Sequence, residues 1–405
     1  MKRFLIGIVL IGLASVLVHA DTGSSDFGIR FSGFVKTDLM LDSRQTVAAR
    51  EGHFLLYPAP ESQDADGDDI NAAPNLNILA IQTRLKGSIS GPDAFGAKTG
   101  GIIEGAFFGH SSGDINGFRL RHAFLTLKWD TSTLLMGQYW HPMFVTDVYP
   151  GTVSFNTGSP FQPFSRNPQI RFTKTMGTMN WIVAAMSQRD FASSGPNGTS
   201  SNYLRNAVIP NLHFQLQKKS EGSVLGIGAD LKMLTPQLTV GGFKTTEKVT
   251  GLSAIAYAKF NLASSTLKIQ GVYGQNMTDH LMLGGYAVET IDDAAGEITY
   301  LPTTVMSVWT ELSGGRDFAY GIFGGYTKNL GTSDTVTGSF YGRGSDIDAI
   351  YRIAPRLMWT SGKTRFAAEL EYTAAAYGNP DEELKIEDSE SVANLRLLLA
   401  AYYFF

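Results

Sequence analysis

The last thirteen residues of the chain, 393–405, carry an alternating pattern that few folds can accommodate. One face of an extended strand receives Leu395, Leu397, Leu399, Ala401, Tyr403 and Phe405. The chain then stops on an aromatic residue. Strict alternation indicates a strand with two different surroundings. A terminal strand of this kind is typical of a transmembrane β-barrel, whose strands turn apolar side chains outward.

A membrane-spanning chain must pair its backbone N–H and C=O groups internally, so it is either a set of apolar helices or a closed barrel. After residue 20, no apolar run approaches the ~20 residues that a spanning helix needs. The sequence therefore predicts an all-β, transmembrane antiparallel β-barrel. The alternative is an ordinary hydrophobic terminal strand of a soluble β-protein.

The amino terminus has the pattern of an export signal. Lys2 and Arg3 precede an apolar stretch from Phe4 to Val18, and Val18-His19-Ala20 resembles a small-x-small cleavage site. We expect residues 1–20 to be a signal peptide and residues 21–405 to form one barrel domain in the outer membrane of a Gram-negative bacterium. The chain has no cysteine, so we expect stability to come from strand pairing rather than disulfides.

Period-two alternation recurs along the whole chain and predicts sixteen strands. These are expected at 28–42, 75–90, 98–110, 117–129, 132–140, 167–176, 179–190, 208–218, 223–233, 251–261, 264–275, 303–313, 317–329, 346–360, 363–375 and 393–405. Tight turns alternate with long connections, as short periplasmic turns and long external loops do in such barrels. Extra strands near 236–246 and 280–288 would give eighteen, which also keeps both termini on the periplasmic side.

A barrel of ~16–18 strands leaves an aqueous channel rather than a side-chain-filled interior. Such channels discriminate by constriction and by charge. The connection after the fifth strand, 141–166, is the third long loop, and in general porins that loop folds into the lumen. Its constriction candidates are His141, Tyr149, Phe155, Phe161 and Arg166. The alternative is a plain surface loop.

Basic residues on inward strand faces predict a ladder that favours anions, because guanidinium groups stay charged and suit carboxylate, sulfate or phosphate. The candidates are Arg84, Lys86, Arg119, Arg121 and Arg171. The alternative is that they form structural ion pairs with lumenal acids, for which Asp38, Glu104, Glu369 and Glu371 are available. The arginine-bearing face of strand 117–129 later carries leucines, and a β-bulge after His122 would explain the change of face.

Several segments resemble the DcaP-like trimeric outer-membrane porins. They are Phe34-Val35-Lys36-Thr37-Asp38, Gln82-Thr83-Arg84-Leu85-Lys86-Gly87, Glu104-Gly105-Ala106-Phe107-Phe108-Gly109, Leu120-Arg121-His122-Ala123-Phe124 and Gly137-Gln138-Tyr139-Trp140. The resemblance covers the amino-terminal third best. It implies a sixteen-stranded trimeric channel for small negatively charged solutes such as dicarboxylates, with pore arginines at Arg84 and Arg121.

The sequence gives weaker indications of metal binding and of catalysis. Asp64, Asp66 and Asp68 in the first long loop could bind calcium, but position 75, where a bidentate Glu would complete the pattern, is Asn. A solvated acidic loop is the preferred interpretation. Nothing local indicates catalysis, the histidines are scattered, and we expect neither a cofactor nor a catalytic site.

Two classes of function remain. The first is a porin giving passive diffusion of small hydrophilic solutes, with an anion preference. The second is a non-conducting barrel that serves adhesion or structure through its loops, or a barrel-embedded hydrolase. The expected partners are anionic or polar solutes, outer-membrane lipids and lipopolysaccharide, the barrel assembly machinery and two further copies of the chain. A net charge of −4 predicts no nucleic acid partner.

Overall fold

The computed structural model describes residues 27–405, so the expected signal peptide at 1–20 lies outside the described residues. Sixteen antiparallel strands form one closed barrel. They are β1 Gly28–Asp42, β2 in two segments Asn75–Leu79 and Arg84–Ser90, β3 Lys98–Ala106, β4 Arg119–Lys128, β5 Ser132–Trp140, β6 Arg166–Met176, β7 Met179–Met186, β8 Asn211–Ser220, β9 Ser223–Leu234, β10 Val249–Asn261, β11 Ser265–Gln275, β12 Thr304–Gly315, β13 Phe318–Asn329, β14 Ile347–Ser361, β15 Thr364–Pro380 and β16 Ile386–Phe404.

The barrel closes where the first strand meets the last. Phe34 pairs with Phe404 and Asp42 with Arg396, so nine residues of β1 run antiparallel to β16. The other edge of β1 pairs with both segments of β2. Between those segments the ladder is interrupted, and the Thr83 hydroxyl accepts a hydrogen bond from the Lys36 N–H (3.1 Å). Every strand therefore has two neighbours, as a membrane-spanning sheet requires.

The two faces of the wall differ as the alternation predicts. In β16, the outward Leu395, Leu397 and Leu399 are 44%, 37% and 43% exposed, whereas the inward Asn394 and Arg396 are fully buried. Large exposed apolar side chains recur on all parts of the wall, the reverse of what a water-facing surface shows. This arrangement is what a bilayer-facing barrel requires.

A buried ion pair stabilises the closure. Arg396 on β16 donates from Nε to Asp42 Oδ1 (2.9 Å) and from Nη2 to Asp42 Oδ2 (2.6 Å).

Removing one partner of a buried pair leaves an uncompensated charge, at a cost of about 3–5 kcal/mol. We therefore expect Arg396→Met to lower the free energy of unfolding by about that amount, measured by urea unfolding in detergent micelles. Arg365→Met removes a partly exposed arginine from the neighbouring strand and serves as the control. Equal stability of the two variants would contradict a role for the pair in closure.

The sequence-based strand count of sixteen is confirmed, and the eighteen-strand alternative is wrong. The apolar residues near 236–246 and 280–288 form small sheets outside the barrel ladder. Thr239–Val240 pairs with Phe243–Lys244, and Gly284–Asp292 pairs with Glu297–Pro302 and with Phe340–Arg343. The prediction of a long loop at 376–392 is also wrong. β15 and β16 occupy most of this range and leave only residues 381–385 as the connection.

The remaining elements lie in the long loops at one end of the barrel. Thr46–Ala49 pairs with Phe54–Pro58 in the first loop. A short α-helix spans Asn202–Ala207, and single 3-10 turns span Ile70–Ala72, Ser112–Asp114 and Thr278–His280. Within residues 27–405, no helix has the length and apolar character needed to cross a bilayer.

Candidate pore site

The third long loop, residues 141–165, folds into the barrel and is anchored to the far wall. The backbone N–H groups of Val153 and Ser154 donate to the two carboxyl oxygens of Glu369 on β15, at 2.8 and 2.9 Å. The N–H of Gly151 donates to Glu311 Oε2 on β12 (2.6 Å). Around the sixteen-strand ladder, β12 lies six strands from β6 and β15 lies six strands from β5, so the loop crosses the lumen.

Side chains of the far wall complete the attachment. Arg352 donates to the carbonyl of Ser159 (2.8 Å), and Ser307 donates to that of Phe161 (3.0 Å). Trp309 turns inward, where its indole N–H donates to Gln162 Oε1 (2.6 Å). Periodicity alone did not indicate this contact, because a tryptophan on a barrel strand is expected at a membrane interface.

The five constriction candidates occupy different places. Phe155 and Phe161 are buried, and Phe155 stacks on Phe108 with ring centroids 4.0 Å apart. Tyr149 is 41% exposed and lines the open part of the lumen. His141 is buried at the base of the loop, and Arg166 is buried at the start of β6. The two aromatic rings hold the loop, while Tyr149 faces the space that a solute could occupy.

An open cavity of about 590 Å³ lies between this loop and the wall made by the first five strands together with the ends of β15 and β16. Arg84, Lys86, Glu104, Arg121 and Tyr149 are among its lining residues. Aromatic rings supply much of the remaining wall, namely Phe34, Phe124, Tyr139, Trp140, Phe144, Phe155, Phe164, Tyr402 and Phe404. The cavity therefore combines a basic side with a largely aromatic one.

Four arginines converge beside this cavity, and we call Arg84, Arg119, Arg121 and Arg166 the arginine cluster. Glu104 Oε1 accepts from Arg121 Nε at 2.7 Å and lies 3.5 Å from Arg84 Nε. Asp190 accepts from Arg166 Nε at 2.7 Å and lies 3.3 Å from Arg119 Nη1. Two carboxylates thus face four guanidinium groups, so the cluster keeps an excess of positive charge.

Several nitrogens of the cluster have no hydrogen-bond partner among the described residues. They are Nη1 of Arg121, Nη1 and Nη2 of Arg166, Nε and Nη2 of Arg119, and also Arg84 Nε and Arg119 Nη1, whose only contact is the ion pair just given. Buried donors normally find an acceptor. Unused guanidinium donors are suited to bidentate binding of a carboxylate or phosphate.

A β-bulge places two adjacent side chains of β4 on the inner face. His122 pairs with Glu104 and Leu120 with Gly105, so Arg121 is the extra residue. Arg121 and His122 are both buried, and Leu125 is again on the outer face with 45% exposure. The predicted change of face is present, but the bulge is at Arg121 rather than after His122. It brings Arg121 into the cluster without disturbing the apolar outer face.

The other predicted ladder residues are not part of the cluster. Lys86 is partly exposed on the cavity wall. Arg171 donates to Gln169 Oε1 (2.9 Å) and to the carbonyl of Trp140, and its guanidinium lies over the Tyr139 ring. It lines a separate, smaller cavity of about 230 Å³. Asp64, Asp66 and Asp68 are exposed, and Asp64 Oδ1 accepts from the backbone N–H groups of the other two.

Sequence reasoning missed Asp190, which follows β7 in the fourth long loop. Its side chain is 2% exposed. Burial alone would raise the pKa of this carboxyl, but the charges of Arg166 and Arg119 hold the pKa below its ordinary value. Asp190 is therefore an anion at neutral pH. The sequence carries no local signal for it, because only the fold brings residue 190 next to residue 119.

We expect Asp190→Asn to strengthen anion preference and to weaken the fold. The substitution removes one of two negative charges in the cluster, and unpairing buried arginines costs about 3 kcal/mol or more. Because the folded-state pKa lies below its ordinary 3.8, the stabilisation by Asp190 is complete above about pH 4 and is lost at lower pH. Thermal unfolding between pH 2 and 7 checks this. The variant should be less stable than the parent at neutral pH, and its unfolding temperature should fall less steeply as the pH is lowered. Equal dependence of the unfolding temperature on pH in both proteins would contradict the role given to Asp190.

The comparison with solved structures shows the fold. The crystal structure of the outer membrane channel DcaP of Acinetobacter baumannii is similar with a TM-score of 0.69 and 17% sequence identity, covering 94% of this chain and 97% of that one. The outer-membrane expressed OmpT of Vibrio cholerae has a TM-score of 0.55 at 11% identity, covering 94% and 98%. Salmonella typhi OmpF in complex with daunomycin has 0.53 at 10%, covering 93% and 97%. No protein-family profile and no curated sequence matches the chain. The chain has the porin fold, in agreement with the resemblance found in its first third.

Proposed function

We propose that this chain is an outer-membrane porin through which small hydrophilic solutes diffuse passively, with a preference for anions such as dicarboxylates. The observation that carries the proposal is the arginine cluster beside the open cavity, where four guanidinium groups face two carboxylates. Excess positive charge in a narrow, low-dielectric passage raises the local concentration of anions and repels cations. Arg84 and Arg121 of the cluster line the cavity itself, and guanidinium groups suit carboxylates.

The apolar outer surface of the barrel indicates where the protein resides in the cell. The apolar outward face would lie in the outer membrane, among lipids and lipopolysaccharide, after removal of residues 1–20 on export and insertion by the barrel assembly machinery. Residues 21–405 would form a single domain. One similar solved structure is described as a trimer form of OmpT of Vibrio cholerae, with a TM-score of 0.53. We infer a homotrimer with one pore in each copy.

Reconstitution in a planar bilayer tests the proposal. We expect stepwise openings in groups of three and, under a salt gradient, a reversal potential of the sign that favours anions. A cation-favouring reversal would contradict the anion preference alone. A silent bilayer that contains folded protein would contradict the porin function itself.

One feature favours a second candidate, a non-conducting barrel that acts through its loops. The first loop inserts Phe54 against two rings of the third loop, with centroids 5.3 Å from Phe155 and 5.0 Å from Phe164. This aromatic contact joins the first loop to the part of the third loop that lies inside the barrel. Under this alternative, the contact would persist in the membrane and block ion flow, which the silent bilayer would reveal.

A further inference from the structure

Three histidines that are scattered in sequence meet at the long-loop end of the barrel. His141 begins the third loop, His213 lies on β8, and His280 lies in the short 3-10 turn of the sixth loop. Asp230 on β9 completes the group. All four residues are buried, with exposed fractions of 0%, 2%, 2% and 6% in the order given.

Nitrogen and carboxylate oxygen atoms converge on one point in this group. Asp230 Oδ2 lies 3.2 Å from His213 Nδ1 and 3.4 Å from His141 Nε2. The three ligand atoms lie within 4.8 Å of one another. Tetrahedral ligands with bonds of ~2.0–2.1 Å lie ~3.3–3.4 Å apart, so two of the three edges already have that length. A modest rotation of the imidazoles would shorten the third edge, between His141 and His213, to the same length.

A fourth donor is available beside them. His280 packs edge-to-face on His141 with ring centroids 4.5 Å apart, and its Nδ1 has no hydrogen-bond partner among the described residues. A buried imidazole nitrogen without a partner is uncommon. Only the other three ligand atoms lie within 4.8 Å of one another, so His280 would have to turn toward Asp230 to become the fourth ligand.

The surroundings orient these ligands as the outer shell of a metal site does. Asn211 Nδ2 donates to Asp230 Oδ1 (2.6 Å), which leaves Oδ2 directed at the histidines. His213 Nε2 lies 3.1 Å from Gln215 Oε1, which can accept its proton and so leave the Nδ1 lone pair free to bind a metal ion beside Asp230 Oδ2. Carboxylate and carbonyl partners on the far side of the imidazole are typical of metal-ligating histidines.

The charges also suit a cation. Asp279, the other acid of this region, is paired with Lys232. Asp230 has no lysine or arginine partner among the described ion pairs, and it faces only imidazoles and amides. A divalent ion would balance this carboxylate.

We propose that His141, His213, Asp230 and His280 bind one first-row divalent metal ion, with Zn²⁺ the chemical fit for three imidazoles and a carboxylate. The site joins the base of the third loop, the wall at β8 and β9, and the sixth loop. It is independent of the arginine cluster and of any solute preference.

Binding affects the third loop through His141. The backbone N–H of Met143 donates to His141 Nδ1 (3.2 Å). An imidazole that binds a metal through Nε2 carries its proton on Nδ1, which then cannot accept that hydrogen bond. The ion therefore breaks the Met143 contact, and the metal state and the backbone at the base of the loop are linked.

Metal binding to the full-length mature protein in detergent tests the proposal. The protein is stripped with EDTA and titrated with Zn²⁺, and with Co²⁺ as a spectroscopic probe. We expect about one ion per chain and a visible Co²⁺ spectrum of tetrahedral nitrogen and oxygen coordination. His213→Gln and Asp230→Asn should each weaken binding at least tenfold, since even outer-shell changes cost 10–100-fold.

His110→Gln is the matched control, because His110 is exposed in the second long loop and should leave binding unchanged. Circular dichroism shows whether each variant folds. If His213→Gln or Asp230→Asn does not fold, His280→Gln and the wild-type Co²⁺ spectrum decide the question. Absence of binding by folded wild-type protein would overturn the proposal. So would equal binding by wild type and a folded cluster variant, which would indicate an adventitious surface ion and leave Asp230 as a hydrogen-bond acceptor only.

Discussion

Replacing Arg84 and Lys86 together by glutamine is expected to lower the local concentration of anions in the pore roughly fivefold and thereby to lower its anion-to-cation preference. Both side chains line the open cavity, and the Arg84 side chain is 23% exposed. A unit charge about 8 Å from a passing ion in water contributes about 0.5 kcal/mol, or roughly twofold in local concentration. Two such charges act in the same direction.

The reversal potential of the double variant under a salt gradient measures this effect. Lys128→Gln with Lys363→Gln removes the same charge from exposed positions near the short turns and is the matched control. The control should keep the parental preference. A double variant at Arg84 and Lys86 that also keeps it would exclude these residues from selectivity.

Neutral substitution of Arg119 and Arg121 is also expected to lower anion preference, but it is a less direct experiment. Both arginines are buried and paired, with Asp190 and Glu104 respectively. Each substitution takes a partner from a buried carboxylate and costs about 3–5 kcal/mol of stability. A change in preference would then have to be separated from a change in structure.

Glu311→Gln is expected to release the third loop from the far wall and to make the open-channel current noisier. The fully buried Glu311 carboxylate accepts from the Gly151 N–H (2.6 Å) and pairs with Arg356 (2.9 Å) and Lys268 (3.0 Å). Glutamine removes the charge and directs an NH₂ group at these donors. Breaking a buried ion pair in this way costs about 3–5 kcal/mol, so the loop should leave this position for part of the time.

Single-channel recording and limited proteolysis of the third loop check the expectation. The variant should show added current fluctuations and faster cleavage within residues 141–165. Glu297→Gln, an exposed glutamate in the sixth loop, is the control and should behave as the parent does. Unchanged noise and cleavage in Glu311→Gln would show that the other anchors suffice.

Much of the barrel could be predicted from the sequence because its signal is local. A strand between lipid and water must alternate apolar and polar side chains, so β1, β5 and β16 can be recognised from their sequences alone. The hairpin of β15 and β16 was predicted too short, since its outer part at 376–392 extends beyond the apolar wall and carries polar residues on both faces. The apolar stretches near 236–246 and 280–288 are true strands, but alternation does not tell whether a strand joins the barrel or a loop sheet.

The functional interior was predicted only in part. The position of this loop as the third long loop suggested that it folds into the lumen. The basic face of β4 indicated Arg119 and Arg121 as pore residues. The partners could not be predicted, because Glu311 and Glu369 meet the loop across the lumen and Asp190 comes from another loop.

The sequence by itself thus determined the barrel, its strand number and which residues face inward, because each of these depends on neighbours one or two positions away. Only the tertiary structure decided how the charges pair, how the third loop is anchored, and that His141, His213 and His280 meet. Those contacts join residues tens to hundreds of positions apart, and it is the closed barrel with its inward-folded loops that brings them within bonding distance.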